Sequence, residues 1–215
     1  MIRVAAFALA LLCAAATVMA EEENHSSDRW EFDVYVDDKR IGNHVFELVQ
    51  NGSHQQSVNT AEFRYRVLLI PAWRYSHTNT EQWNEDGCLE GFEASTRVNG
   101  KQSDVSAAHG EDGLIVDTGE ATTQLPGCIM SFAYWDPRFL EQARLIDPQT
   151  GKYLPITVER LPAEALEVRG AEVPAQPYRV RAEELDLKVY YSEENEWLAL
   201  ESVGKGGRVI RYELT

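Results

Sequence analysis

The segment Trp30–Val36 reads WEFDVYV, and this alternation decides the fold class. One face of the segment carries the apolar side chains of Trp30, Phe32, Val34 and Val36, and the positions between them hold Glu31, Asp33 and Tyr35. A repeat of two residues indicates a half-buried β-strand, because successive side chains of a strand point to opposite faces of the sheet.

The same alternation continues through most of the chain. Further strands are predicted at about 41–49, 61–69, 73–84, 88–98, 102–108, 113–117, 152–160, 164–169, 176–184, 186–192, 196–203 and 208–214. Dipeptides such as Asn51-Gly52 and Asn99-Gly100 separate these runs and are typical of hairpin turns. We therefore expect a mainly β protein, an antiparallel up-and-down meander that forms a strongly curved sheet or a barrel.

One interval breaks the pattern and predicts a short helix. Between Ser131 and Asp147, Asp136 has the character of a helix N-cap, and Pro137 occupies the first helical position. The apolar residues after it recur at helical spacing: Phe139, Leu140, Ala143, Leu145 and Ile146. This is the one helix that the sequence predicts.

The beginning of the chain has the features of a secretory signal peptide. Arg3 precedes an apolar run, and Met19-Ala20 precedes three glutamates. We expect a signal peptide at residues 1–20, a flexible tail at 21–28, a single β domain at 29–215, and a periplasmic location. The cysteines outside the signal peptide are Cys88 and Cys128, so an oxidising compartment predicts one structural disulfide between them.

The formal net charge of −15 limits the classes of partner. Nucleic acids and anionic membrane surfaces attract lysine and arginine, so we expect neither as a partner. The alternative to a signal peptide is a membrane anchor, but the apolar run is shorter than the roughly 18 residues that a span needs, so we expect no stable membrane insertion after signal cleavage. The sequence does not identify a protein partner.

The stretch Trp73–Trp83 holds the candidate functional residues. In a regular strand one face would carry Trp73, Tyr75, His77, Asn79, Glu81 and Trp83, while arginine, serine, threonine and glutamine residues occupy the other. An inward face that mixes aromatic with polar groups is unusual, because a buried polar group costs free energy unless it is paired. Either His77 and Glu81 form a hydrogen-bonded pair inside the sheet, or this face lines a cavity.

Tyr134 and Trp135 are the candidates for a cover over that face. They follow Cys128, and the disulfide would bring them close to the strand that begins at Cys88. The alternative is that both rings only dock the predicted helix.

Enzymatic signatures are largely missing from the sequence. It has no nucleophile elbow, zinc-protease motif, phosphate-binding loop or dinucleotide fingerprint. We therefore assign no catalytic residue, no metal ligand and no cofactor.

Several strand motifs carry a family resemblance. These are Ile41-Gly42, the spacing of Tyr75, His77, Glu81 and Trp83, and the C-terminal runs LKVYYS (187–192), EWLAL (196–200) and RVIRYEL (208–214). Together they resemble an uncharacterised family of exported proteobacterial proteins classed as a domain of unknown function. More distantly, the pattern is similar to periplasmic lipoprotein-carrier proteins of the LolA and LolB type, which implies a curved sheet around an apolar cavity.

The predicted function is that of a periplasmic binding or carrier protein for a lipophilic or amphipathic small molecule. The ligand-binding residues would be Trp73, Tyr75, His77, Glu81, Trp83, Tyr134 and Trp135. Two alternatives stay open: an enzyme that uses His77 and Glu81 for acid–base chemistry, and a structural or interaction protein of the cell envelope with a filled core.

Overall fold

A computed structural model describes residues 27–67, 70–204 and 207–215. The predicted signal peptide, residues 1–20, lies outside the described residues, as does most of the predicted tail. The first strand already begins at Ser27, slightly before the predicted start of the β domain.

The described chain consists almost entirely of antiparallel strands. They are β1 (Ser27–Val36), β2 (Lys39–Asn51), β3 (His54–Val67), β4 (Ile70–Trp83), β5 (Leu89–Val98), β6 (Lys101–Gly110), β7 (Gly113–Asp117), β8 (Thr122–Leu125), β9 (Arg144–Asp147), β10 (Lys152–Pro155), β11 (Thr157–Arg160), β12 (Glu164–Val168), β13 (Ala171–Ala182), β14 (Leu185–Tyr191), β15 (Trp197–Val203) and β16 (Val209–Leu214). The predicted meander is confirmed.

Fourteen of these strands form one sheet, and β9 pairs with β10 in a separate hairpin. The order in the large sheet is β11-β13-β14-β15-β16-β1-β2-β3-β4-β5-β6-β7-β8, with β12 paired to β13 beside it. Within the described residues this order has two free ends, so hydrogen bonds do not close the sheet into a barrel. The turn between β5 and β6 is the predicted Asn99-Gly100, and both residues have positive φ, as a type I′ hairpin requires.

The predicted helix is corrected by the structure. It is a 3₁₀ helix, Pro137–Glu141, and Asp136 caps it by accepting a hydrogen bond from the Arg138 backbone N–H at 3.0 Å. Leu145 and Ile146, which were assigned to the helix, belong to β9, and both are fully buried. A strand covered on both faces gives a continuous apolar run, which sequence periodicity does not distinguish from a buried helix.

The sheet curves around the segment that crosses from β8 to β10. The buried apolar side chains of this crossover are Ile129, Met130, Ala133, Phe139, Leu145 and Ile146. They share one core with side chains from both halves of the sheet, including Phe32 of β1, Phe92 of β5 and Val189 of β14. The crossover therefore fills one part of the sheet's interior.

The predicted disulfide joins this crossover to the sheet. Cys88 and Cys128 are bonded, and their Cα atoms are 5.0 Å apart. Next to the bridge, the Leu89 backbone N–H donates to the Ile129 carbonyl oxygen at 2.9 Å. The residues after Cys128 are therefore anchored over the inner face of β4 and β5.

Candidate ligand-binding site

A row of polar side chains interrupts the apolar inner face of β2 to β5. It consists of His44, Ser57, Asn59, His77, Asn79, Glu81 and Thr96. The strand register places Ser57 opposite Glu81 and Asn59 opposite Asn79. Neighbouring polar positions therefore form one continuous patch across four strands.

This patch forms the floor of a cavity of about 240 Å³. The floor residues in contact with the cavity are His44, Asn59, His77, Asn79 and Glu81. The roof comes from residues 131–135 and from the β9–β10 hairpin, at 147–150, Lys152 and Leu154. Glu183 and Glu184 of the turn between β13 and β14, with Leu185 at the start of β14, complete the rim.

Glu81 is a carboxyl group in the interior, with 3% of the residue exposed. Its Oε2 accepts a hydrogen bond from the Ser57 hydroxyl at 3.0 Å, and Ser57 Oγ accepts one from Trp83 Nε1 at 3.0 Å. Burial raises the pKa of Glu81, and hydrogen bonds from Ser131, Asn79 and Ser57 oppose that rise. The shift arises because removing a carboxylate from water penalises its charged form.

His77 has a partner of its own. Its Nδ1 lies 2.9 Å from the Thr96 hydroxyl on β5, the residue directly opposite in the register. Burial lowers the pKa of His77 to about 4, so the ring is neutral at pH 7. Since Glu81 bonds to Ser57, the two side chains that the sequence suggested as a pair have separate partners.

His44 forms the other imidazole of the floor. Its ring stacks on Phe46 with centroids 4.1 Å apart. Burial, and then the proximity of His77, lower the pKa of His44 to about 3. Both ring nitrogens are buried and have no hydrogen-bond partner among the described residues.

The two asparagines of the floor are also incompletely paired. Asn59 Oδ1 and Asn79 Oδ1 are buried without a hydrogen-bond partner within the described ranges. Asn79 is only 2% exposed. Because an unpaired buried acceptor costs free energy, this floor is suited to a bound group that donates hydrogen bonds.

The roof is aromatic and firmly docked. Tyr134 packs against Trp197 with ring centroids 5.4 Å apart, and its backbone oxygen accepts from the Tyr191 hydroxyl at 2.6 Å. Trp135 meets Trp83 edge to face at 5.4 Å. Tyr134 and Trp135 therefore serve in both of the roles considered from the sequence: they cover the inner face, and they hold the crossover in place.

The structure separates the predicted site residues into two groups. His77, Glu81, Tyr134 and Trp135 line the cavity. The others lie beside it: Trp73 and Tyr75 stack with Phe63 in an adjoining apolar cluster, and Trp83 is fully buried beneath Ser57. Tyr75 contacts the roof from outside the cavity, since its hydroxyl donates to Gln149 Oε1 at 2.7 Å.

Sequence reasoning did not assign several lining residues to the site. Asn79 was on the predicted inner face and could have been included, and Asn59 faces it from β3. Ser131, Phe132 and the residues of the β9–β10 turn gave no signal, because they reach the cavity only through tertiary docking.

In residues 27–67, 70–204 and 207–215, no three His, Cys, Asp or Glu side chains are grouped so that they could hold a metal ion. Over the same ranges, no helix has the length and apolar character needed to cross a bilayer.

The comparisons with known proteins define the family. The model of DUF6134, described as a domain of unknown function, matches residues 32–215. The chain belongs to the DUF6134 family. The match includes every residue of the cavity lining, and it agrees with the predicted uncharacterised family. No curated protein matches the chain.

Among solved structures, the DUF6134 chain is similar to a β-barrel-like protein of another domain of unknown function, DUF1849, from Brucella abortus. The TM-score is 0.62 at 13% sequence identity, over 87% of this chain and 94% of that chain. At this identity the similarity shows the fold alone, a barrel-like sheet. The predicted similarity to the lipoprotein carriers is not confirmed by these matches.

Proposed function

We propose that this protein binds a small amphipathic molecule in the cavity between the polar floor and the aromatic roof, and carries it in the periplasm. The observation that carries the proposal is the cavity itself: its floor has buried acceptors without partners among the described residues, and its roof offers the rings of Phe132, Tyr134 and Trp135. Pockets for small molecules combine mostly apolar walls with a few placed polar groups.

The size of the cavity limits the ligand. A cavity of roughly 150 Å³ accommodates benzene, so about 240 Å³ suits a ligand, or the buried part of one, of roughly ten non-hydrogen atoms. A head group with a short chain fits these dimensions, whereas a lipid with two full acyl chains does not. The proposed ligands are therefore smaller than those of a general lipid carrier.

The periplasmic location is part of the proposal. It is supported by the signal-peptide features of residues 1–20 and by the Cys88–Cys128 disulfide, because disulfides persist in oxidising compartments.

The test is native mass spectrometry of the mature protein purified from the periplasm, followed by organic extraction. We expect a bound mass on the wild-type protein and its loss in Asn79→Leu, which removes a floor acceptor and keeps a buried side chain. Thr78→Leu is the matched control, because Thr78 is the exposed neighbour on the outer face. An apo mass for the wild type, or a ligand retained equally by both folded variants, would contradict the proposal.

A further inference from the structure

Glu81 has no cationic partner among the described side chains. Glu81 is 3% exposed, and its carboxyl group accepts a hydrogen bond from the uncharged Ser57 hydroxyl at 3.0 Å. Without a cation beside it, a buried carboxyl group favours its protonated form, because the desolvation of the charged form is not offset, and a cationic ligand group would stabilise the carboxylate. The interior therefore contains an acidic group whose counter-ion is missing among the described side chains.

The charged residues in the rest of the cavity lining are mostly acidic. Asp147, Glu183 and Glu184 lie along the wall and rim, and Lys152 is the one lysine or arginine among the lining residues. Lys152 Nζ is 3.5 Å from a Glu183 carboxylate oxygen, so its charge is already partnered. With both imidazoles neutral at pH 7, the lining as a whole carries an excess of negative charge.

The unpaired acceptors of the floor also favour a ligand that donates hydrogen bonds. Asn59 Oδ1 and Asn79 Oδ1 are buried acceptors without partners in the described part of the chain, and they sit at directly opposite positions on β3 and β4. Glu81 follows two positions along the same face of β4. An alkylammonium group has three N–H donors and no acceptor, which matches this set of oxygens.

We infer that the ligand's head group is a protonated amine, with Glu81 as its counter-ion and the amide oxygens of Asn59 and Asn79 as further acceptors. This inference rests on the proposed binding function and adds the chemical class of the ligand. Carboxylate and phosphate head groups are disfavoured, because they would bring like charge to an acidic site in which the described cation, Lys152, is already paired with Glu183.

The test compares three probes that share a linear alkyl chain and differ in the head group: octylamine, octanol and octanoate. Each is titrated at pH 7 into the delipidated mature protein, and binding is measured by calorimetry. We expect octylamine to bind at least about tenfold more tightly than octanol, with octanoate weakest, since a tenfold change corresponds to about 1.4 kcal/mol. This ranking requires no variant, so a folding defect does not affect it.

Glu81→Gln then tests the counter-ion. The amide is of similar size and keeps an oxygen for the Ser57 hydroxyl, so we expect the preference for octylamine over octanol to fall about tenfold. Glu93→Gln is the matched control, because Glu93 is exposed on the outer face of β5, and its preference should equal that of the wild type.

The outcomes separate the two proposals. Tighter binding of octanol or octanoate would overturn the amine inference and leave small-molecule binding intact. An octylamine preference that Glu81→Gln does not change would overturn the role of Glu81. If none of the three probes binds and no ligand copurifies, the binding function itself is wrong.

Discussion

Ser57 lies directly opposite Glu81 on the neighbouring strand, and its hydroxyl donates to Glu81 Oε2 at 3.0 Å. The same oxygen of Ser57 accepts from the indole N–H of Trp83 at 3.0 Å. One small side chain therefore connects the fully buried tryptophan of the core to the carboxyl group of the cavity floor.

Removal of the Ser57 hydroxyl is expected to destabilise the fold. In Ser57→Ala the Trp83 N–H loses its acceptor inside the protein, and an unsatisfied buried group costs about 1–3 kcal/mol. Urea unfolding followed by tryptophan fluorescence should show this decrease in the free energy of unfolding. Ser106→Ala, at an exposed position of β6, is the control and should remain close to the wild type. Equal stability of the two variants would mean that the Ser57 bridge contributes nothing.

The buried His77 predicts a pH dependence of stability. Its pKa in the folded state is about 4, below its usual 6.5, so the unfolded chain takes up a proton first as the pH falls. The His77 contribution is therefore complete above pH 6.5 and is lost towards pH 4, by up to about 3 kcal/mol. The raised pKa of Glu81 acts in the opposite direction, because the protonated form of that carboxyl is favoured in the folded state.

Comparison of variants isolates the His77 contribution from that of Glu81. Between pH 7 and pH 4, the free energy of unfolding of His77→Asn should decrease less than that of the wild type. His109→Asn changes an exposed histidine at the end of β6 and serves as the control. A His77→Asn profile parallel to that of the wild type would refute the assignment.

The Cys88–Cys128 disulfide should contribute substantially to stability. The two cysteines are 40 residues apart in sequence, and chain entropy gives about 4 kcal/mol for closing a loop of this length. Denaturant unfolding of the mature protein with and without reductant measures the difference. The double variant Cys88→Ala/Cys128→Ala should be less stable by a similar amount and insensitive to reductant. A wild-type protein that is equally stable in both conditions would disprove this contribution.

The assignment of the crossover to the core can be tested with two isoleucines. Ile146 of β9 is fully buried, whereas Ile115 of β7 is 40% exposed. Ile146→Ala should lower the free energy of unfolding by about 3 kcal/mol, because it leaves a cavity among packed side chains. Ile115→Ala should cost less than about 1 kcal/mol, as is usual away from the core. Similar losses in both variants would argue against a packed interior crossover.

The sequence predicted those parts of the fold that depend on local pattern. Phe32 and Val34 of β1 are fully buried, as their alternation indicated, and Asn99-Gly100 forms the expected turn. The mixed face of β4 was also visible, because His77 and Glu81 occupy positions where apolar residues are usual. These features depend on the period of a strand and on turn chemistry, which neighbouring residues determine.

The features that the sequence did not predict depend on distant contacts. Leu145 and Ile146 were assigned to a helix because a strand buried on both faces has no polar alternation. Trp83 was assigned to the ligand site because it shares a face with Glu81. The structure instead packs its ring into the core beneath Glu81. The disulfide predicted Tyr134 and Trp135 as a cover, whereas the part of the roof that comes from the β9–β10 hairpin depends on tertiary docking and had no local signal in the sequence.

The pairing of β1 with β16 has a kinetic consequence. Phe32 pairs with Leu214 and Val36 with Ile210, whereas the other pairings of the large sheet join strands that are close along the chain. Contacts between distant segments form slowly, because the entropy of closing a long loop is lost before the contact repays it. The hairpins within β1–β8 and within β11–β16 can therefore form early. The pairing of β1 with β16, which joins these two halves of the sheet, should limit the folding rate. Of these strands β16 is synthesised last, so the pairing that joins the two halves of the sheet can form only after β16 has been made.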